Sequence, residues 1–302
     1  MIDFEKHLPK KCGFDPKKIV VPPGQPVGLA KDFETDYTGT YKDKKDAEAD
    51  LASNVQRLAD QQDLLYASNT YALLILFQAL DAAGKDGTIK HVMSGVNPQG
   101  CQVQSFKVPS AEELDHDYLW RTTRTLPRRG QIGIFNRSYY EEVLVTRVHP
   151  EILARENLPA KLDKKNIWKQ RFDDINNFER YLTNNGTVIL KFFLNVSKDE
   201  QKKRFLRRIE EKEKNWKFSA ADIRERQFWP QYVDAYEQVF THTSTPWAPW
   251  LVIPADHKWF TRLCVSQVIV AALKSLGLRY PTVPAAKAQE LEKAKQELLS
   301  EQ

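Results

Sequence analysis

The stretch from Leu73 to Lys90 constrains this chain more than any other. An apolar run, Leu73-Leu-Ile-Leu-Phe-Gln78, passes into a small-residue loop that ends at Gly84-Lys85, and a helix pattern starts there. A strand that enters a helix through a Gly-Lys loop aims backbone N–H groups at an anion, and the lysine adds a full charge where phosphate oxygens sit. The phosphate-loop pattern G-x-x-x-x-G-K-[ST] is met with two departures. Ala79 stands at the first Gly and Asp86 at the Ser or Thr. A strand ending in a glycine turn is also ordinary α/β scaffolding, so other segments have to decide between the two readings.

Those segments alternate. Lys44–Ser68 has helical spacing with Leu51, Val55, Leu58 and Leu65 on one face, and a strand over Leu73–Gln78 follows. A helix from Lys85 to about Ser94, turn chemistry over Gly95–Gly100 and a short strand over Cys101–Val108 come next. Ser110-Ala-Glu-Glu113 is a capping box that predicts a helix to about Leu126, stopped by Pro127-Arg-Arg-Gly130. Gln131–Asn136 reads as a strand, Asp163–Asn184 as a helix ending at Asn185-Gly186, and Thr187–Leu194 as the strongest strand. Ser197 caps a charged helix to about Asn215 and Ser219 another to about Phe240. A last strand, Trp250–Pro254, precedes a helix from about Lys258 to Leu276.

This order predicts a three-layer α/β/α sandwich around a parallel sheet. The loops after Gln78, Phe135, Leu194 and Ile253 should then share a cleft at the carboxyl ends of the strands. Residues 1–50, rich in Lys, Asp, Pro and Gly, read as an N-terminal arm with no core of its own. Residues 51–280 form the main domain and 281–302 a charged tail.

Composition narrows the function classes. No apolar run approaches the ~20 residues that span a bilayer. Met1–Pro9 carries Asp3 and Glu5 and has no apolar core, so no secretion signal is expected. Cys12, Cys101 and Cys264 are scattered, as are the six histidines, which suits unpaired thiols in a reducing cytoplasm and disfavours zinc. The net charge of +5 means little until it is placed. Arg121, Arg124, Arg128 and Arg129 fall in one stretch and Lys202, Lys203, Arg204, Arg207 and Arg208 in another, which points to a polyanionic ligand. No nucleic-acid recognition module is present.

Lys85 would be unfavourable near the positive end of a helix dipole unless an anion binds there. Asp81 is a candidate metal ligand, and Arg137, at a strand end, a candidate phosphate contact. With the basic helix around Arg204 and Arg208 these supply a cradle, a metal position and mobile cations, the parts that phosphoryl transfer needs.

The motifs Asp81-Ala-Ala-Gly-Lys85, Phe135-Asn-Arg-Ser-Tyr-Tyr-Glu141 and Glu200-Gln-Lys-Lys-Arg-Phe-Leu-Arg-Arg208 resemble those of the polyphosphate kinase 2 family. Asp117-Tyr-Leu-Trp-Arg121 and Trp216-Lys-Phe-Ser219 agree, and the likeness runs from about Phe33 to Leu278. The resemblance implies a thymidylate-kinase-like P-loop kinase with a helical lid at about 197–218. Its donor would be inorganic polyphosphate, its acceptors adenine nucleotides (guanine as the alternative), and its cofactor Mg2+, with Mn2+ as a substitute. A cytoplasmic homo-oligomer with no nucleic-acid or membrane partner is expected.

Two positions depart from the family pattern. Asn136 replaces the usual Asp and Glu141 the usual Asn, an exchange that resembles the class III branch acting on both AMP and ADP. The implied catalytic set is Asp81, Lys85, Asn136, Arg137, Arg204 and Arg208, with Asp81 on the metal. Substrate contacts are expected from Ala82, Ala83, Gly84, Asp86, Gly87, Thr88 and Lys90, from Glu141, and from a polyphosphate track of Arg121, Arg124, Arg128 and Arg129. Two rivals remain at this point: an ATP-dependent nucleoside monophosphate kinase, and a non-enzymatic polyanion binder.

Overall fold

The computed structural model describes residues 5–9, 12–156, 158–159, 161–162 and 165–301. Five strands, β1 (Ala72–Gln78), β2 (Cys101–Ser105), β3 (Ile132–Asn136), β4 (Thr187–Asn195) and β5 (Trp250–Pro254), form one parallel sheet in the order β2-β3-β1-β4-β5. The helices of eight residues or more are α1 (Lys44–Ser68), α2 (Lys85–Val92), α3 (Glu141–Val148), α4 (Ile167–Asn184), α5 (Lys198–Glu210), α6 (Trp229–Thr243), α7 (Lys258–Ser275) and α8 (Ala285–Ser300).

The central strand shows why the chain layers as it does. Successive side chains of a strand face opposite sides, and every residue of β1 is buried. Leu73, Ile75 and Phe77 pack with Leu58 of α1, Val92 of α2 and Val268 of α7. Leu74 and Leu76 pack on the other face with Val143 of α3, Ile175 of α4 and Val239 of α6. Both faces are covered, so the strand is apolar from Ala72 to Phe77 instead of alternating.

Most expected elements are present within a residue or two, and the differences have local causes. The Ser110 capping box forms, but its helix stops at Leu114 and a separate turn covers Trp120–Thr123. Between them Asp117 accepts a 2.9 Å bond from the Leu119 amide, a local side-chain bond that competes with helix continuation. The strand expected to reach Val108 ends at Ser105. The helix expected from Ser219 to Phe240 breaks at a 3-10 turn, Arg226–Phe228, because Pro230 suits only the first turn of the next helix. The helix begun by Ser197 ends at Glu210 and gives way to a 3-10 turn, Lys212–Lys217. Asp163 lies outside the described residues, as do residues 1–4 of the expected non-signal N-terminus; α4 starts at Ile167.

The arm docks on the sheet. The Val21 amide donates to Trp250 O at 3.0 Å and the Val252 amide to Ile19 O at 2.7 Å, an antiparallel bridge on the outer edge of β5. A fully buried ion pair fixes the opposite face. Lys191 of β4 donates to Glu179 at 2.7 Å, Tyr140 Oη at 2.9 Å and Thr243 O at 2.7 Å, while Tyr139 and Tyr140 donate to Glu179. This network anchors the turn that follows β3. No helix among the described residues is long and apolar enough to cross a membrane.

Candidate active site

The loop after β1 curls tightly. Ala82 has φ +60 and Gly84 φ +108, the left-handed region, before Lys85 opens α2. Glycine adopts this freely; an alanine held there costs on the order of 1 kcal/mol, strain that clusters at functional sites. Lys85 Nζ donates to Ala79 O at 3.0 Å, closing the loop on itself. Burial holds the Lys85 pKa below the ordinary lysine range, opposed in part by the Asp81 charge. Asn136, at the carboxyl end of β3, donates to Asp86 at 2.8 Å.

Two cavities meet at this loop. The first, about 600 Å³, runs over Ala82–Thr88 and past Asn136, Lys107 and Arg208. The second, about 470 Å³, is walled by Leu80, Glu141, Tyr232, Tyr236 and Trp229. Asp81 and Arg137 line both. Arg137 has φ +66, a second strained position, and its guanidinium lies 3.6 Å from Asp81 and 3.9 Å from Glu141. Burial opposes charge on Arg137, but Glu141 and Asp81 outweigh it and raise its pKa. Burial also raises the Glu141 carboxyl, against Arg137 and Lys85.

The structure brings together Asp81, Ala82, Ala83, Gly84, Lys85, Asp86, Gly87 and Thr88 with Asn136, Arg137 and Arg208. Glu141 joins them through the second cavity. Arg208, on the first cavity, pairs at 3.4 Å with Asp222, which lines the second. Arg204 lines the cleft but is buried, and all its donors are bonded to protein, so it does not close over the cleft as a mobile cation.

The expected polyphosphate track is not assembled. Arg128 and Arg129 precede β3, at the amino ends of the strands, and Arg129 bonds Thr70 O at 2.7 Å just before β1. Arg124 lies over Trp120 and pairs with Glu112. Arg121 donates to Lys107 O at 2.8 Å and lies over Phe106, bracing the wall from behind. Lys90, in the last turn of α2, lies off the cavity.

The cations that line the first cavity away from the loop are instead Lys107, Arg207, Lys214, Lys258 and Arg262, with Arg208. Lys258 and Arg262 had a readable signal, being four apart in the first turns of the helix after β5. His149 was also missed. It lines the second cavity, but its ring nitrogens face Glu225 at 2.9 Å and Glu151 at 3.4 Å.

Among the described residues no group of three or more His, Cys, Asp or Glu side chains could hold a metal ion. A cation that keeps waters and takes substrate phosphate oxygens needs only one or two carboxylates. Asp81, at the junction of the cavities, suits that role.

A parallel sheet, a phosphate loop and a basic cleft are common to many kinases; the family match decides among them. The model of the Polyphosphate kinase 2 (PPK2) family matches residues 41–279. The chain belongs to the polyphosphate kinase 2 family. It is 55% identical over 284 residues to the ADP-polyphosphate phosphotransferase of Rhodopseudomonas palustris, spanning 94% of this chain and 98% of that protein. It is 44% identical over 252 residues to the AMP/ADP-polyphosphate phosphotransferase of Meiothermus ruber, spanning 83% and 90%. The crystal structure of polyphosphate kinase 2 from Arthrobacter aurescens TC1 matches with a TM-score of 0.79 at 39% identity, covering 90% of this chain and 98% of that one. The expected fold is borne out: the chain has the α/β P-loop architecture of its relatives.

Proposed function

We propose that this member of the polyphosphate kinase 2 family moves the terminal phosphoryl group of inorganic polyphosphate onto AMP and ADP, forming ADP and ATP. The donors named for the two relatives above and their acceptors, ADP and AMP/ADP, support this reading. The observation that carries it is the pair Asp81 and Arg137, which line both cavities. A donor in the basic cavity and an acceptor in the aromatic-walled one would meet there.

The roles follow from position. Lys85 and the first-turn amides of α2 hold the transferring end of polyphosphate. The chain beyond it lies along Lys107, Arg207, Lys214, Lys258 and Arg262, a spread of weak point contacts suited to a polymer of phosphates. Arg137 clamps the group in transit and Arg208 covers it; Asn136 and Glu141 flank it on either side. Mg2+, or Mn2+ in its place, held by Asp81 and phosphate oxygens, would neutralise charge on the transferring group. The acceptor is already an ionised phosphate, so positioning replaces a general base. Transfer is direct: the one histidine that lines the second cavity has carboxylates at both ring nitrogens, which disfavours a phosphohistidine.

We place the protein in the cytoplasm as a homo-oligomer, with an arm at 1–50, a kinase body at 51–280 carrying the lid, and a tail at 281–302. Turnover assays test the reaction: purified protein is given polyphosphate with AMP or ADP, and separately ATP with AMP. Polyphosphate-dependent formation of ADP and ATP is expected. Use of ATP with no response to polyphosphate would establish an ordinary nucleotide kinase; salt-sensitive binding without turnover would establish a polyanion binder.

A further inference from the structure

The back of the phosphate loop is held by one helix. Gln201 Nε2 donates to Asp81 O at 2.9 Å, and Arg204 donates to Ala82 O at 3.1 Å and Ala83 O at 2.7 Å. Three consecutive carbonyls are therefore turned toward α5. In a trans peptide the carbonyl and the following N–H point in opposite directions, so the amides of Ala82 and Gly84 are turned away from α5. The Ala83 amide closes the loop on Leu80 O at 3.3 Å, and the Thr88 amide bonds Gly84 O at 3.0 Å.

Arg204 has no donor left for a phosphate. Its Nε bonds Glu200 at 2.8 Å, and its other nitrogen bonds Ala255 O at 2.6 Å and Asp256 O at 3.1 Å. A guanidinium has five N–H donors, and all are taken. The side chain is 4% exposed. Asp256 in turn accepts from the Ser197 amide at the start of α5 and from Thr35 of the arm. Gln201 is held from behind by Arg226, at 2.6 Å.

We propose that Gln201 and Arg204 are positioning residues that preset the phosphate loop, joining it to the β5–α7 turn, and that Arg204 never touches substrate. This rests on the reaction proposed above only for its kinetic readout. The clamp explains how Ala82, a non-glycine residue, is kept at positive φ: the carbonyls of Asp81 and Ala82, on either side of the Ala82 Cα, and that of Ala83 are all fixed by α5. A mobile lid would then begin beyond Arg204, with Arg207, Arg208 and Lys214.

Hydrogen exchange over residues 79–90, with turnover measured in parallel, distinguishes a clamp from a substrate cation. Arg204→Lys keeps the charge but cannot reproduce the fork, and Gln201→Leu alters no charge at all. Each should speed exchange at Ala83 and Thr88 by roughly tenfold or more, the scale of one lost bond to a charged or buried group. Turnover should fall about 10²-fold in Arg204→Lys, as for a displaced reacting group, while the KM for polyphosphate changes little. Thermal melting identifies any variant that fails to fold, and Gln201→Leu then carries the exchange test. Near-wild-type turnover in Arg204→Lys, or unchanged loop exchange in both variants, overturns the proposal. Wild-type protein inert toward polyphosphate would remove the reaction reading, and the exchange result would still decide the clamp.

Discussion

Asn136 Nδ2 donates a 2.8 Å hydrogen bond to Asp86 Oδ1, linking the end of β3 to the first turn of α2. The family usually has an aspartate at this position, which would face Asp86 as a like charge and invite a cation between the two. Asn136→Asp is therefore expected to lower the magnesium concentration for half-maximal turnover several-fold, since a second carboxylate raises affinity for a hard cation. A magnesium titration checks this; an unchanged midpoint would place the metal away from Asn136.

Lys85→Ala and Asp81→Asn should each lose roughly 10²-fold or more in turnover, the scale for removing one electrostatic stabiliser, with far-UV circular dichroism unchanged. A variant that keeps wild-type turnover takes its residue out of the transfer step.

The lowered Lys85 pKa sets a pH dependence. In the proposed reaction polyphosphate binds the protonated lysine, so binding should take up a proton above the lowered pKa and weaken as pH rises through it. kcat/KM for polyphosphate should fall on an alkaline limb below the ordinary lysine range. Arg should remove that limb, so a Lys85→Arg profile that keeps it would assign it to another group.

The proposed donor track separates two sets of cations. Arg262→Ala and Lys258→Ala should raise the KM for long polyphosphate and flatten its salt dependence, because exposed charge contacts are screened. Arg128→Ala and Arg129→Ala, at the far end of the sheet, should leave donor binding alone. Initial rates at two ionic strengths are sufficient to see the difference.

Glu141 lines the second cavity and not the first. Glu141→Asn should depress AMP phosphorylation more than ADP phosphorylation, because a monophosphate must sit deeper to reach the same transfer point. Equal losses on both acceptors would mean that Glu141 does not set the choice.

The buried Lys191–Glu179 pair makes a stability prediction. Glu179→Gln or Lys191→Met strands a charge with no exposure to water and should cost ~3 kcal/mol or more. The double variant Lys191→Met with Glu179→Leu should recover part of that loss in urea denaturation.

What the sequence made legible was local. β1 is apolar up to its last residue, β4 is apolar but for Lys191 and its ends, and Ser110, Ser197 and Ser219 cap helices as expected. Lys85 and Asp81 were found because loop and helix start are contiguous. Arg128 and Arg129 were misplaced because nearness in sequence hid the direction of a strand. β3 has five residues at ~3.3 Å each, so roughly 16 Å separates the end they flank from the end that carries Asn136. Arg204 looked like its basic neighbours because its partners are carbonyls from the loops after β1 and β5, which no periodicity in α5 could reveal.

The bridge from Ile19–Val21 to β5 has a practical consequence for anyone shortening this chain. A version trimmed to the matched span, starting at residue 41, would leave the outer N–H and C=O row of β5 without its cover. Bare strand edges pair with one another. Such a protein should keep its transfer groups and yet self-associate in solution, so a loss of yield on trimming would report a naked edge and say nothing about the kinase.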